Sequence, residues 1–247
     1  MKTTIISLSS ILACMTLSAE ETPRPAADHN NRFAEAFRYV TKLGANLQEP
    51  VVALGSREEI ERFKSAAAYS HEHAGIVLLI LRDGKLVFEQ HVEGSGPERA
   101  YQIASGTKSF WGTAAMAAIA DGLFTLDERV ANTLTEWRQD PRKSQVTVRH
   151  LLSFSSGLDS PRRLWARSDM DKAKFSLEQP AVADPGTKWS YSEVHLYAFG
   201  EFFRRKLAAK QPAGKPERPF DYLERKILKP IGLQVSRWKK EMNGDPA

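Results

Sequence analysis

The sequence contains a single cysteine, Cys14, among its 247 residues. One thiol close to the N-terminus cannot form an internal disulfide, and it leaves the body of the chain without a cysteine nucleophile or a thiolate metal site. Long apolar runs are equally scarce, because no stretch after Leu17 is long enough to cross a bilayer as a helix. Cysteine catalysis, a disulfide framework and a membrane-spanning segment are therefore excluded.

Two further signatures are missing, those of metal ions and of nucleotide cofactors. His71 and His73 are close in sequence, but no third ligand follows at a useful spacing, which favours exposed residues at a helix end. No glycine-rich phosphate loop occurs either. The sequence therefore predicts neither a metal ion nor any other cofactor.

Charge of one sign is not concentrated along the chain. The 35 lysine and arginine residues exceed the 30 acidic residues by five, but the two kinds alternate. The densest basic stretch, Arg204 to Lys210, comes at the end of an expected helix, where cations complement the helix dipole. Nucleic acid is therefore not an expected partner.

The N-terminal residues have the pattern of an export signal. Lys2 is followed by mostly apolar or small residues from Ile5 to Leu17, and Leu17-Ser18-Ala19 offers a small-residue cleavage site. We therefore expect residues 1–19 to be a signal peptide, and the mature protein to be secreted or periplasmic. A lipid anchor at Cys14 and a buried N-terminal helix are the alternatives.

The periodicity of apolar residues changes near residue 75. Before it, residues 31–43 and 58–69 have helical spacing, so residues 20–74 are expected to form a helical extension packing outside the main sheet. After it, two runs rich in valine, isoleucine and leucine, residues 75–81 and 86–92, flank Asp83-Gly84, a pair typical of a hairpin turn.

Mostly helical patterns follow the hairpin. The first, residues 105–120, is rich in alanine and is expected to be buried on most sides, with Gly122 ending it. The later segments are residues 126–134, 146–152, 194–207 and 222–228. Strands followed by helices predict an α+β fold, an antiparallel sheet with flanking helices and a helical subdomain.

Ser105, Gly106, Thr107 and Lys108 form an SxxK tetrad at the start of the alanine-rich helix. A spacing of three residues places the serine hydroxyl and the lysine amine on one helical face, close enough for the amine to take up the serine proton. The tetrad alone is weak, because a second one, residues 236–239, occurs in a polar tail. A helix N-cap is the structural alternative for Ser105.

Three further segments follow one another in the chain: IASGTKSFWG with ADGLFTLDERV within residues 101–130, HLLSFSSGL at residues 150–158, and PGTKWSYSEVHLYAFGE at residues 185–201. With these segments in this order, the chain resembles the penicillin-recognising serine hydrolases, the class C β-lactamase and D-alanyl-D-alanine carboxypeptidase family. The resemblance covers about residues 75–233 and implies the family's sheet-and-helix fold for residues 75–247.

The resemblance implies that Ser105 is the acylated nucleophile, that Lys108 is its proton partner, and that Tyr191 carries protons to the leaving group. The backbone amide of Ser105 would supply half of an oxyanion hole. A Ser-His-Asp arrangement through His150 with Asp127 or Asp159 is the alternative, although the chain has no GxSxG elbow.

The chain departs from the family's pattern at two places. Glu193 stands where the family has an asparagine, and its carboxylate could pair with Lys108 beside the substrate. The family's later Lys-Thr-Gly or His-x-Gly motif has no counterpart, which indicates a C-terminally truncated chain. The hairpin is then expected to keep an unpaired edge.

The expected function is hydrolysis of an amide, lactam or ester through an acyl-enzyme at Ser105. The partner would be a small-molecule or peptide substrate, and the sequence carries no signal of oligomeric state. A homologue without activity, binding cell-wall peptide or a protein partner, is the alternative that Glu193 and the missing motif favour.

Overall fold

The computed structural model describes residues 3–7, 46–161, 164, 167, 170–211 and 216–236, with backbone only for residues 3–7. The chain divides into two compact units, a sheet unit (Met1–Tyr101) and a helical unit (Gln102–Ala247). None of the described helices is both long and apolar enough to cross a membrane. The predicted helix at residues 31–43 and the tail at residues 239–247 lie outside the described residues.

The sheet unit contains four antiparallel strands in the order β1-β3-β4-β2. They are β1 (Thr3–Ser7), β2 (Val51–Val52), β3 (Val77–Arg82) and β4 (Lys85–His91). Strands β3 and β4 form the predicted hairpin, in which Asp83 and Gly84 adopt φ values of 51° and 76°. Glycine suits the second of these positions, because a left-handed backbone strains residues that have a Cβ atom.

Strand β1 covers the edge of the hairpin that was predicted to be unpaired, with Thr3 opposite Arg82 and Ser7 opposite Leu78. That prediction is wrong for the full chain, because residues N-terminal to the hairpin fill the edge. The strand lies inside the predicted signal peptide. The cleavage of residues 1–19 stays a prediction.

One helix, α1 (Arg57–Glu72), packs on this sheet. Its N-terminus is closed by a capping box, in which the Ser56 hydroxyl accepts from the Glu59 amide and the Glu59 side chain accepts from the Ser56 amide. Phe63 and Ala67 of the helix contact the buried sheet residues Ile80 and Phe88. The C-terminal part of the predicted extension of residues 20–74 therefore belongs to the same compact unit as the hairpin.

The helical unit contains five α-helices among its described residues, linked by short 3₁₀ turns. They are α2 (Lys108–Ala120), α3 (Val148–Leu152), α4 (Lys172–Glu178), α5 (Val194–Lys210) and α6 (Pro219–Leu223), which continues as a π-turn, Glu224–Leu228. Fully buried aromatic residues of α5 pack edge-on against Phe124 and Tyr222. These contacts make α5 the centre of the core.

Helix α2 is less buried than its composition predicts. Ala114, Ala115 and Ala118 are fully buried, whereas Ser109 and Met116 are exposed. The alanine-rich sequence was expected to be buried on most sides, but full burial is confined to one face, because Ser109, Thr113 and Met116 follow at helical spacing as an exposed stripe. The helix ends at Ala120, before the left-handed Gly122, as predicted.

Candidate active site

Ser105 lies in a 3₁₀ turn, Ala104–Thr107, that leads directly into α2 at Lys108. The Lys108 ammonium group donates a hydrogen bond to the Ser105 hydroxyl oxygen over 2.9 Å, and both side chains are partly buried. Ala104, the residue before the serine, has a φ of 44°, an uncommon backbone conformation for a residue with a Cβ atom. Such strain clusters at functional sites.

Tyr191 and Glu193 reach Lys108 from the segment that precedes α5. The Lys108 nitrogen lies 5.1 Å from the centre of the Tyr191 ring, and 3.9 Å from a Glu193 carboxylate oxygen. The structure therefore brings together the four residues singled out in the sequence. The Tyr191 contact is through the ring face, a cation–π arrangement, and among the described residues no hydrogen bond joins its hydroxyl to Ser105 or Lys108.

Two loops hold Tyr191 in this position. The Ser190 amide donates to the Phe154 carbonyl over 3.0 Å, and the Phe154 ring packs against the Tyr191 ring at 5.6 Å between centres. In the same loop Gly157 has a φ of 78°, and a Cβ atom there would lie 2.1 Å from the Ala183 carbonyl oxygen. Close backbone contact between the loops thus requires glycine.

A buried histidine that the sequence analysis did not single out, His195, links the same loops. It is completely buried in the first turn of α5, where its Nδ1 lies 2.8 Å from the Ser156 hydroxyl and its Nε2 lies 3.0 Å from the Ser190 carbonyl. Nε2 must donate to that carbonyl, so Nδ1 accepts from Ser156 in the neutral ring. Burial lowers the pKa of His195, and the hydrogen bond to the Ser190 carbonyl raises it by a smaller amount, so the pKa stays below its ordinary value.

The sequence did contain a signal for His195. It precedes Ala198, Phe199 and Phe202 by three, four and seven residues, which places it on the buried stripe of an amphipathic helix. Its hydrogen-bond partners could not be predicted, because Ser156 lies in a separate loop.

His150 has a structural role rather than that of a general base. Its Nδ1 accepts a hydrogen bond from the Thr147 amide, and the Thr147 hydroxyl accepts from the His150 amide, which closes the N-terminus of α3. Burial lowers the pKa of His150, with the Arg149 charge acting in the same direction. Asp127 is engaged in a two-point ion pair with Arg149. The arrangement thus gives no support to a Ser-His-Asp triad.

The remaining candidates from the sequence lie elsewhere in the chain. Ser236 of the second SxxK tetrad is exposed, and Lys239 is outside the described residues. His73 caps the end of α1, where its Nδ1 donates a hydrogen bond to the Tyr69 carbonyl over 2.8 Å. In the described part of the chain, no three His, Cys, Asp or Glu side chains are grouped so that they could hold a metal ion.

Comparison with known proteins gives one family and a consistent fold. A family model described as Beta-lactamase matches residues 42–247. Acyltransferase calJ of Penicillium decumbens is 32% identical over 133 residues, which cover 42% of this chain and 32% of calJ. The chain thus matches about a third of the length of that relative. The predicted C-terminal truncation stays a prediction.

Two solved structures show the same fold at low sequence identity. A provisionally assigned beta-lactamase of Bacteroides dorei DSM 17855 gives a TM-score of 0.58 at 16% identity, over 76% of this chain and 56% of that one. A family VIII carboxylesterase gives a TM-score of 0.53 at 22% identity, over 76% of this chain and 52% of that one. The predicted α+β fold is confirmed. With a matching family model over most of its length, the chain belongs to the beta-lactamase family.

Proposed function

We propose that the protein is a serine hydrolase that forms an acyl-enzyme at Ser105. The observation that carries this proposal is the 2.9 Å hydrogen bond between the Lys108 ammonium and the Ser105 hydroxyl oxygen. Once Lys108 loses its proton, the same geometry lets its amine accept the serine proton while the serine oxygen attacks a carbonyl carbon. The leaving group departs with a proton from Tyr191, Lys108 returns the serine proton to Tyr191, and water then hydrolyses the acyl-enzyme.

In this proposal Tyr191 delivers the proton to the leaving group. Its ring already lies over Lys108, and it is 45% exposed, so its side chain has room to turn its hydroxyl toward the reacting atoms. The Ser105 amide contributes to the oxyanion hole. No cofactor is required, because nucleophile and proton carriers are all side chains of the chain itself.

Covalent labelling tests the nucleophile. The purified protein is treated with a fluorophosphonate, and its intact mass is compared with that of Ser105→Ala and Ser236→Ala. We expect one adduct in the unmodified protein and in Ser236→Ala, the matched control from the second SxxK tetrad, and none in Ser105→Ala. Lys108→Ala should label far more slowly, by about 100-fold or more, since its general base is lost.

A second candidate function, acyl transfer to an alcohol or amine, is favoured by the likeness to Acyltransferase calJ. The two functions share the acyl-enzyme and differ only in the acceptor. Adding an alcohol to a working ester assay and measuring the fraction of product that is a new ester separates them. Folded protein that forms no adduct would instead favour the homologue without activity, which the Glu193–Lys108 ion pair also supports.

We also propose that the protein is exported, with cleavage after Ala19. Lys2, the apolar residues up to Leu17 and the small residues around Ala19 support this proposal. The mass of protein recovered from the periplasm of an expressing bacterium tests it. A chain beginning at Glu20 is expected, while a chain retaining Met1 would contradict cleavage, and a lipid-sized mass increase on Cys14 would indicate anchoring.

A further inference from the structure

The charge next to the proposed nucleophile is balanced within the site. Lys108 carries one positive charge while it donates to Ser105, and again once its amine has taken up the serine proton, and the Glu193 carboxylate lies 3.9 Å from it. Both side chains are less than a fifth exposed, at 18% and 17%, so water screens the pair only in part. An uncharged residue in place of Glu193 would leave Lys108 as an unpaired cation beside Ser105.

This balance affects which acyl groups can approach Ser105. A carboxylate in an acyl group bound beside Lys108 would gain little from that cation, which Glu193 already pairs at 3.9 Å, and it would be repelled by the Glu193 carboxylate. Charge interactions at that range in a partly buried site change relative rates by about tenfold or more. A neutral acyl group meets no such penalty.

An apolar surface adjoins the same residues. Trp189 is 65% exposed, and its ring lies 6.3 Å from the Tyr191 ring, which in turn lies over Lys108. Two large aromatic side chains with this much exposure, one of them over Lys108, can bury an apolar chain as it binds. The surface belongs to a single loop segment, residues 189–191, in the helical unit.

We propose that the site selects uncharged, apolar acyl groups and rejects acyl groups that carry a carboxylate, with Glu193 setting the charge preference and Trp189 supplying the apolar contact. The proposal rests on the proposed acyl-enzyme function and names the class of its substrates. Uncharged aliphatic or aromatic esters fit this description, whereas half-esters of dicarboxylic acids do not.

A matched pair of substrates tests the charge preference. p-Nitrophenyl pentanoate and mono-p-nitrophenyl glutarate have the same leaving group and acyl chains of similar length, but only the second carries a carboxylate. With uncatalysed rates subtracted, we expect kcat/KM to favour the pentanoate by about tenfold in the unmodified protein. A preference for the glutarate half-ester in the unmodified protein would overturn the proposal without any variant.

Variants at Glu193 assign that preference to its charge. Glu193→Gln should reduce the ratio of the two kcat/KM values by about tenfold, and Glu193→Asp, which keeps the charge, should preserve most of it. In Glu193→Gln the glutarate rate should also fall steeply with added salt, an effect that a purely structural change would not produce. Equal ratios in Glu193→Gln and the unmodified protein would overturn the proposal.

Glu224→Gln is the matched control, because Glu224 pairs with Lys229 at 3.8 Å, almost the same separation, but belongs to the π-turn after α6. It should leave the ratio unchanged.

The apolar contact is tested at Trp189. Trp189→Ala should lower kcat/KM for p-nitrophenyl hexanoate by about tenfold, while changing kcat/KM for p-nitrophenyl acetate by less than about threefold. Equal losses for both esters would overturn the role of Trp189.

Failure of this inference is distinguishable from failure of the proposed function. If both esters are hydrolysed and Ser105→Ala abolishes that turnover, an unchanged ratio in Glu193→Gln overturns the selectivity alone. If the folded protein neither hydrolyses an ester nor labels at Ser105, the acyl-enzyme function and the selectivity are both overturned.

Discussion

The hairpin turn of the sheet unit and the loop at residues 154–157 of the helical unit both use left-handed backbone, for different reasons. In the hairpin, Gly84 has a φ of 76°, and a Cβ atom there would meet nothing within 4 Å. In the loop, Gly157 has a φ of 78°, and a Cβ atom there would lie 2.1 Å from the Ala183 carbonyl oxygen. The turn depends on its own two residues, whereas the loop depends on a second segment packed against it.

Gly157→Ala should therefore cost the protein more stability than Gly84→Ala. It combines left-handed strain with a clash against backbone, and the free energy of unfolding should fall by about 3 kcal/mol. Chemical denaturation measures the loss. The matched control is Gly122→Ala, at a φ of 70° with no neighbour within 4 Å, which should cost about 1 kcal/mol. Equal losses would show that the close approach to Ala183 contributes nothing.

His195→Gln should have the next largest effect, because it disturbs the buried hydrogen bonds to Ser156 and Ser190. We expect the free energy of unfolding at pH 7.5 to fall by about 2 kcal/mol. Labelling of Ser105 should slow as well, since the Ser190 carbonyl that His195 holds belongs to the residue before Tyr191. Unchanged stability would contradict the role of these hydrogen bonds.

His195 also makes the stability of the protein depend on pH. Burial holds its folded pKa below the ordinary 6.5, so the unfolded chain binds a proton at higher pH than the folded chain does. Its contribution to stability is complete above pH 6.5 and is lost as the pH falls from there toward the folded pKa. His150 acts in the same direction. Chemical denaturation at pH 7.5 and at pH 5.5 measures the free energy of unfolding that is lost between the two pH values. This loss should be smaller in His195→Gln than in the unmodified protein, and an equal loss in both would contradict this account.

The contrast between turn and loop also explains how much the sequence could predict. The hairpin and the Ser105–Lys108 pair depend on residues next to or three residues from each other, so turn chemistry and helical spacing were sufficient. The resemblance placed Tyr191 and Glu193 at the site. The His195 contacts join segments that are far apart in the sequence, so no local pattern predicts them. The same is true of the pairing of β1 with β3.

Gly84→Ala should have a smaller effect than either change in the helical unit. The only cost is the left-handed strain on a residue with a Cβ atom, about 1 kcal/mol, since no neighbour is displaced. Hydrogen exchange of peptides from residues 77–91 should rise, because the turn closes strands β3 and β4. A loss as large as that of Gly157→Ala would mean that the turn is not a purely local structure.

Ala104 gives the smallest expected effect and the most direct link to the nucleophile. Its φ of 44° strains alanine, so Ala104→Gly relieves that strain, but glycine also loses more freedom on folding. The two terms nearly cancel, and the free energy of unfolding should change by no more than about 0.5 kcal/mol.

Ala104→Val keeps a Cβ atom and adds branching that the left-handed region tolerates poorly. It should displace the turn that carries Ser105 and slow fluorophosphonate labelling, whereas Ala104→Gly should label at nearly the original rate. If the valine variant labelled as fast as the glycine variant, the left-handed residue before Ser105 would have no part in presenting the nucleophile.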